Sequence, residues 1–194
     1  MARASMCVND MKKQPLVFVF AGPNGSGKST IANKMERFGT YVNADDIKKA
    51  YGLSDLEAAK KAESLRNMLL NQGRDFSFET VLSTERNLLL LQRAKAQGYE
   101  IQCIYVLTSD VNINVGRVKA RYIFGGHDVP EEKIRSRYVR ALALLPKLLN
   151  VCDTLLIYDN TDVPVPIFIK NGKAIKIEPN KYWTKSHIVK LLDL

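Results

Sequence analysis

Residues 22–30 read GPNGSGKST and directly follow the apolar run LVFVFA at 16–21. The pattern glycine, four residues, glycine, lysine, serine is typical of a loop whose backbone N–H groups approach phosphates. The motif requires a strand before it and a helix after it, and the flanking sequence predicts both. The N-terminus of that helix adds positive potential at the same point. This stretch therefore predicts a nucleoside triphosphate site.

Two residues of the loop have specific expected roles. Lys28 should reach the β- and γ-phosphates, and Ser29 should be a ligand of Mg²⁺. The remaining predicted nucleotide contacts in the loop are Gly22, Pro23, Asn24, Gly25, Ser26, Gly27 and Thr30.

The rest of the chain alternates strand and helix patterns, which predicts an α/β fold with a mostly parallel sheet. We expect a flexible leader at 1–14 and a single domain at 15–194. Strands are predicted at 16–21, 40–46, 75–84, 100–108 and 154–160, and helices at 28–38, 54–73, 84–97, 110–124 and about 130–150.

Local signals mark several ends of these elements. Ser54 and Glu57 have the spacing of a capping box at the start of the second helix. Pro146 predicts a kink in the helix at 130–150. Asn171-Gly172 predicts the turn of a C-terminal β-hairpin, within a hairpin and helix at about 164–194.

Composition limits the compartment and the partners. The chain has 194 residues, of which 46% are hydrophobic, and a formal net charge of +9. This charge favours anionic partners, but the basic residues are spread along the chain, which disfavours a nucleic-acid interface. Three widely spaced cysteines, Cys7, Cys103 and Cys152, indicate a reducing compartment. No apolar run approaches the length of a membrane span, so we expect a soluble, cytoplasmic protein.

The absence of two motifs limits the classes of protein that could use this nucleotide site. No aspartate is followed three residues later by glycine, as a GTPase switch would require, and the chain lacks an LSGGQ-like motor signature. The remaining interpretation is phosphoryl transfer to an acceptor, which needs a carboxylate near the acceptor hydroxyl and cations around the phosphoryl group.

Carboxylates follow two predicted strands. Asp45 and Asp46 end the second strand, where one of them could accept the proton of a hydroxyl or both could merely cap the next helix. Asp45 is the better candidate for the cleft and Asp46 the better cap. Glu79, beside Thr80 at the end of the third strand, could bind substrate hydroxyls or a magnesium water, or simply be solvated.

Basic residues mark a candidate lid at about 117–140. Arg117 and Arg121 share one helical face, where they repel each other unless an anion lies nearby. Lys133, Arg137 and Arg140 share another face. Together with the Gly-Gly-His segment at 125–127, these basic residues predict a lid that closes over phosphates. A solvated basic face is the ordinary alternative.

Five motifs occur in order between residues 16 and 160: GPNGSGKST, VNADDI, FSFETVLST, RVKARYIFGGHDVPEEKIRSRY and LLIYDN. As an ordered set they resemble the short standalone members of the zeta toxin family, also called predicted ABC-type ATPases. The resemblance implies a P-loop kinase fold with a parallel five-stranded sheet in the order 2-3-1-4-5, using ATP and Mg²⁺. Characterised members phosphorylate a hydroxyl of UDP-N-acetylglucosamine and are restrained by a small antitoxin. A small-molecule hydroxyl substrate and an antitoxin partner are therefore implied.

The same resemblance assigns roles to individual residues. It places the general base on Asp45, substrate binding on Glu79, and the first phosphate-binding arginine on Arg117 or Arg121. For the second phosphate-binding position in the lid it leaves three candidates, namely His127, Arg135 and Arg137. It also places Asn160 near the adenine.

Two alternatives remain open. One is a nucleoside, antibiotic or nucleic-acid 5′-end kinase of similar fold. The other is a basic nucleotide- or nucleic-acid-binding module with little turnover.

Overall fold

The strand after which the phosphate loop begins is an inner strand of the sheet. In the computed structural model, which describes residues 14–35, 38–126 and 128–194, five of the six residues of β1 (Leu16–Ala21) are buried. It pairs in parallel with β3 (Phe76–Thr80) on one side and with β4 (Glu100–Leu107) on the other. A strand covered on both faces by other elements is expected to be a continuous apolar run, as this one is.

The outer parallel strands complete the predicted order. β2 (Thr40–Val42) pairs with β3, and β5 (Thr154–Asp159) pairs with β4, both in parallel. The order 2-3-1-4-5 is therefore confirmed for these strands. Their carboxyl ends meet at one edge of the sheet, where ligands bind in open α/β folds.

The sheet is larger than predicted. β6 (Val165–Asn171) pairs antiparallel with β5, and β7 (Ala174–Ile177) pairs antiparallel with β6, so the sheet has seven strands. The five predicted parallel strands and the predicted hairpin are both present, and the two strands of the hairpin extend the same sheet. The hairpin turn itself lies where predicted, with Gly172 at a positive φ of 57°. Without the hairpin, the outer edge of β5 would carry unpaired backbone groups.

Eight helices are present among the described residues, and most agree with the predicted positions. Ser54 and Glu57 form the predicted capping box at the start of the third helix. The helices are α1 (Lys28–Ala32), α2 (Ala44–Tyr51), α3 (Asp55–Asn71), α4 (Glu85–Ala96), α5 (Val111–Ile123), α6 (Glu131–Ala143), α7 (Leu145–Val151) and α8 (Lys185–Leu192).

Two predicted helices differ from the structure. The first was expected to reach Phe38 but ends at Ala32, because the next amides bond to carbonyls three residues back, as Lys34 does to Ile31. The helix expected at 130–150 is divided at Leu144 into α6 and α7. Pro146 lies in the first turn of α7, where its missing N–H has no partner to lose.

The core lies on both faces of the sheet, since successive side chains of β1 point to opposite sides. Val17 and Val19 belong to the larger cluster, whereas Phe18 and Phe20 belong to the smaller one. Among the described residues, no helix has the length and apolar character needed to cross a membrane.

Candidate active site

The phosphate loop lies against the start of α5 and the residue that follows β5. Gly25 has a φ of 77°, and a Cβ at this position would lie 2.4 Å from the carbonyl oxygen of Asn114. Gly27, at a φ of 91°, would bring a Cβ to 2.2 Å from Nδ2 of Asn160. Only glycine combines this backbone conformation with so close an approach.

Asn114 supports the loop and was not identified from the sequence. Its buried side chain donates from Nδ2 to the carbonyl oxygen of Asn24 at 2.7 Å. Its Oδ1 accepts a hydrogen bond from the hydroxyl of Thr108, at the end of β4. The one available signal was an asparagine among the otherwise apolar buried positions of a helix, since Val115 and Val118 are its buried neighbours on α5.

Asn160 and Arg117 join the loop to the end of β5. Asn160 donates from Nδ2 to the carbonyl oxygen of Ser26 at 2.7 Å. Arg117 donates to the carbonyl oxygens of Asn160 and Thr161 at 2.8 and 3.0 Å. The side chains of Asn160 and Arg117 thus already bind backbone groups. Asn160 was predicted to contact the adenine, and Arg117 to contact a phosphate.

A cleft of about 350 Å³ opens at the carboxyl ends of β1 and β3. Seven of its fifteen lining residues are charged, and the lining includes several predicted site residues. Its lining residues are Asn24, Lys28, Ser29, Asn43, Ala44, Asp45, Lys48, Asp55, Ala58, Glu79, Thr80, Val81, Arg121, Val129 and Arg137.

A second cavity, of about 230 Å³, lies on the other side of the start of α1. It is lined by Gly25, Gly27, Thr30, Arg117 and Val118, and shares Lys28, Ser29 and Arg121 with the cleft. The two cavities therefore meet at a hydroxyl and two cations.

Lys28 lies where the two cavities meet, among charged groups of both signs. Burial lowers the pKa of its ammonium, and the carboxylates of Glu79 and Asp45 oppose that shift. Arg121 and Arg137 reinforce it by repulsion. A cation held partly desolvated among other cations is suited to bind an anion.

Glu79 is fixed on both carboxylate oxygens. Oε2 accepts a hydrogen bond from Ser29 Oγ at 2.6 Å, and Oε1 accepts one from the hydroxyl of Tyr41. Asn43 in turn donates to the Tyr41 hydroxyl at 3.2 Å. Tyr41 was missed in the sequence, because its position in a three-residue edge strand carries no sign of this contact.

Thr80 faces the cleft but is occupied by structural bonds. Its Oγ1 accepts hydrogen bonds from the backbone N–H of Leu82 at 2.9 Å and from Nδ2 of Asn87 at 2.8 Å. Leu82 has a φ of 51°, which is strained for a residue with a side chain, so these bonds maintain an unusual loop conformation.

Asp45 and Asp46 both lie in the first turn of α2, but only Asp45 lines the cleft. The expectation that Asp46 caps this helix was wrong. Asn43 is the N-cap, and its Oδ1 accepts from the backbone N–H of Asp45 at 2.8 Å. The helix begins at Ala44, so Asp46 is already inside it.

The lid arginines point in different directions. Arg121 and Arg137 line the cleft, and Arg137 donates to Oδ1 of Asn24 at 3.4 Å. Arg135 instead pairs with Glu131 and donates to Asn112 on α5. His127 lies outside the described residues. Arg137 is therefore the lid residue of α6 that reaches the phosphate loop.

The lid helix α6 is held to the sheet by Tyr138. Its hydroxyl donates to the carbonyl oxygen of Thr108 at 2.6 Å, and burial raises the pKa of this phenol to about 12. The same residue, Thr108, also contacts Asn114, so the lid and the phosphate loop share one support at the end of β4.

The Ser29 hydroxyl and the Glu79 carboxylate are adjacent oxygen groups that could hold a magnesium ion. No group of three or more His, Cys, Asp or Glu side chains capable of holding a metal occurs in the described part of the chain. This set fits Mg²⁺, which usually takes one or two protein oxygens and completes its shell with water and phosphate oxygens.

The family model described as Zeta toxin matches residues 2–165. The chain belongs to the zeta toxin family. A Haemophilus influenzae protein described as uncharacterized is 30% identical over 125 residues, which cover 61% of this chain and 89% of that protein. The cytidylate kinase of Sulfurisphaera tokodaii is 28% identical over 124 residues, covering 61% of this chain and 66% of the kinase.

Solved structures of low sequence identity share the fold of this family member. A chain of the AvrRxo1-ORF1:-ORF2 crystal structure with ATP has a TM-score of 0.68 at 16% identity, and the match covers 86% of this chain and 61% of that one. A chain of the PezAT toxin–antitoxin system of Streptococcus pneumoniae has a TM-score of 0.53 at 22% identity, covering 79% and 70%. The chain thus spans less than two thirds of the AvrRxo1 chain.

Proposed function

We propose that this zeta toxin family member is a cytoplasmic kinase that transfers the γ-phosphoryl group of ATP to a hydroxyl of a small metabolite. The observation that carries the proposal is the meeting of two cavities at Lys28, Ser29 and Arg121. The cavity beside α1 would take the nucleotide, and the larger cleft would take the acceptor. Transfer requires this arrangement, because the two reacting oxygens lie in line on either side of the phosphoryl group.

The cations of the site would bind the transferred group. Lys28 would contact the β- and γ-phosphates, while Arg121 and Arg137 would balance the charge that spreads over the γ-phosphoryl oxygens in the transition state. Burial lowers the pKa of Lys28, and the nearby carboxylates of Glu79 and Asp45 only partly offset this effect. A bound phosphate would supply further negative charge beside the ammonium.

Asp45 would act as the general base. Its carboxylate lines the cleft on the first turn of α2, so an acceptor hydroxyl between Asp45 and Lys28 would have a proton acceptor on one side and the phosphate on the other. Glu79 would hold the Ser29 hydroxyl and orient the acceptor. A magnesium ion bound beside Ser29 and Glu79 would neutralise charge on the β- and γ-phosphates.

The lining of the cleft favours a polar acceptor. Among the described residues, no aromatic side chain lines it, so it offers no stacking surface for a nucleobase. Asp45, Asp55 and Glu79 can accept hydrogen bonds from sugar hydroxyls. We therefore propose a sugar hydroxyl as acceptor.

We also propose that the protein is the toxin of a toxin–antitoxin pair. The support is membership of the zeta toxin family and the likeness of its fold to a protein of the PezAT toxin–antitoxin system. Overproduction of the wild-type chain should slow growth, and co-production of a small protein encoded beside it should restore growth.

The deciding experiment incubates a metabolite extract with the protein, ATP and Mg²⁺ and follows the products by mass spectrometry. A metabolite that gains one phosphate with the wild type, but not with Asp45→Asn, supports the proposal. Asp46→Asn is the matched control and should still produce it. Oligonucleotide binding with steep salt dependence and no phosphorylated metabolite would instead favour the binding-module alternative.

A further inference from the structure

A third cavity, outside the cleft, contains a buried arginine that has no ion-pair partner among the described residues. It has a volume of about 270 Å³ and lies between α3 and α4. Its lining shares no residue with the two cavities of the candidate active site. The lining residues are Glu63, Arg66, Asn67, Arg86, Asn87, Leu89, Leu90 and Arg93.

Arg66 is more than nine-tenths buried, with 8% of its surface exposed. Within the part of the chain that the structure describes, its Nε is buried without a hydrogen-bond partner, and its side chain donates one long bond of 3.4 Å, from Nη2 to Oδ1 of Asn87. The guanidinium carbon lies 5.0 Å from the centre of the Phe78 ring. No carboxylate of the described residues lies within ion-pair distance of it. A charge in this state costs free energy unless something else compensates it.

The other charges of the cavity do not compensate Arg66. Burial lowers the pKa of its guanidinium, Glu63 opposes this shift and Arg86 adds to it. Glu63 contacts Arg86 rather than Arg66, at 3.4 Å. Arg93 donates to Oδ1 of Asn67 at 3.0 Å. With three arginines and one glutamate, the lining has a net charge of +2.

We propose that this cavity binds a phosphate-sized dianion, either inorganic phosphate or the phosphate group of a small phosphomonoester. Arg66 donates to it from the floor of the cavity through the terminal nitrogens of its guanidinium, and Arg86 and Arg93 donate from the rim. A planar guanidinium with two adjacent N–H donors matches two oxygens of a phosphate group. The lining has a net charge of +2, which balances the charge of a dianion.

The test uses inorganic phosphate and the Lys28→Ala variant, in which the phosphate loop has lost its lysine. Phosphate is titrated into ¹⁵N-labelled protein, with sodium chloride at the same ionic strength as the blank, and the Arg66 Nε–H signal is followed by NMR. We expect that signal to shift and saturate with phosphate and not with chloride. Saturation of loop signals with no movement of the Arg66 Nε–H would overturn the proposal.

Substitutions on the rim avoid the risk of unfolding that Arg66→Gln carries. Arg86→Gln, in the same background, should weaken phosphate binding by about tenfold or more, since a hydrogen bond to a charged group contributes about 1.5–3 kcal/mol. Arg74→Gln, an exposed arginine outside the cavity, is the matched control and should leave the dissociation constant unchanged. An equal loss in both variants would show a general charge effect and would sink the proposal. Neither readout depends on kinase activity.

Discussion

Ser29 Oγ lies 2.6 Å from Oε2 of Glu79, and this contact joins the phosphate loop to the end of β3. The second oxygen of Glu79 accepts from the hydroxyl of Tyr41 on the edge strand β2. Residues from two other parts of the chain therefore fix the Glu79 carboxylate beside the hydroxyl that the loop motif assigns to magnesium.

Glu79→Gln should raise the magnesium concentration needed for half-maximal kinase activity by about 10–100-fold, the range found for residues that orient a metal ligand. The amide keeps the shape of the side chain but removes the charge beside Ser29. Magnesium titrations of ATP-dependent phosphorylation measure this effect. Tyr41→Phe keeps the charge and should cause a smaller shift; an unchanged magnesium dependence in Glu79→Gln would exclude a role near the metal.

Asp45→Asn should reduce the rate of transfer by about 10²-fold or more while binding of Mg-ATP stays near the wild-type value, because the amide cannot accept the acceptor proton. Single-turnover transfer and equilibrium nucleotide binding separate the two effects. Asp46→Asn, one residue further along α2 and outside the cleft, should retain most activity. Equal losses at both positions would mean that neither carboxylate is the base.

Arg117→Ala and Arg121→Ala should fail in different ways. Arg117 donates to two backbone carbonyls at the end of β5, so its loss should lower the free energy of unfolding by about 1.5–3 kcal/mol. Arg121 lines both cavities, so its loss should lower turnover more than ATP affinity. Urea unfolding and steady-state kinetics of both variants distinguish these roles. A loss of turnover without a loss of stability in Arg117→Ala would instead indicate that Arg117 binds phosphate.

Lys28→Met should abolish ATP binding and raise the melting temperature of the ligand-free protein at pH 7. Burial lowers the pKa of Lys28 below its ordinary 10.5, so the folded state holds this proton less tightly than the unfolded state does. The stability of the wild type therefore rises as the pH increases through the folded-state pKa toward 10.5. The stability gain of the variant should shrink over the same range. A lower melting temperature of Lys28→Met at pH 7 would contradict this account.

Cys103 should resist alkylation in the native protein at pH 8. Burial raises the pKa of its thiol well above the ordinary value, and the neighbouring Cys152 raises it further, so almost no reactive thiolate forms. Iodoacetamide labelling followed by mass spectrometry, in a Cys7→Ser variant, measures this before and after unfolding in urea. Fast labelling of the folded protein would show that β4 opens locally.

Short-range patterns were sufficient for the features that depend on neighbouring residues. The phosphate loop, the buried β1 and the Ser54–Glu57 capping box each lie within a few residues, where backbone geometry and side-chain type decide the structure. The alternation of strands and helices predicted parallel pairing, and the family resemblance predicted the order of the first five strands.

Contacts between distant residues could be decided only by the tertiary structure. Whether Arg135 or Arg137 faces the phosphate loop depends on the rotation of α6 against α5, and Arg137 meets Asn24 across 113 residues of sequence. The support of the loop by Asn114 depends likewise on the packing of α5. The addition of β6 to the sheet depends on the exposed edge of β5, which no local pattern in residues 165–171 records. Sequence determines which groups are available, and the packing of helices and strands determines which of them meet.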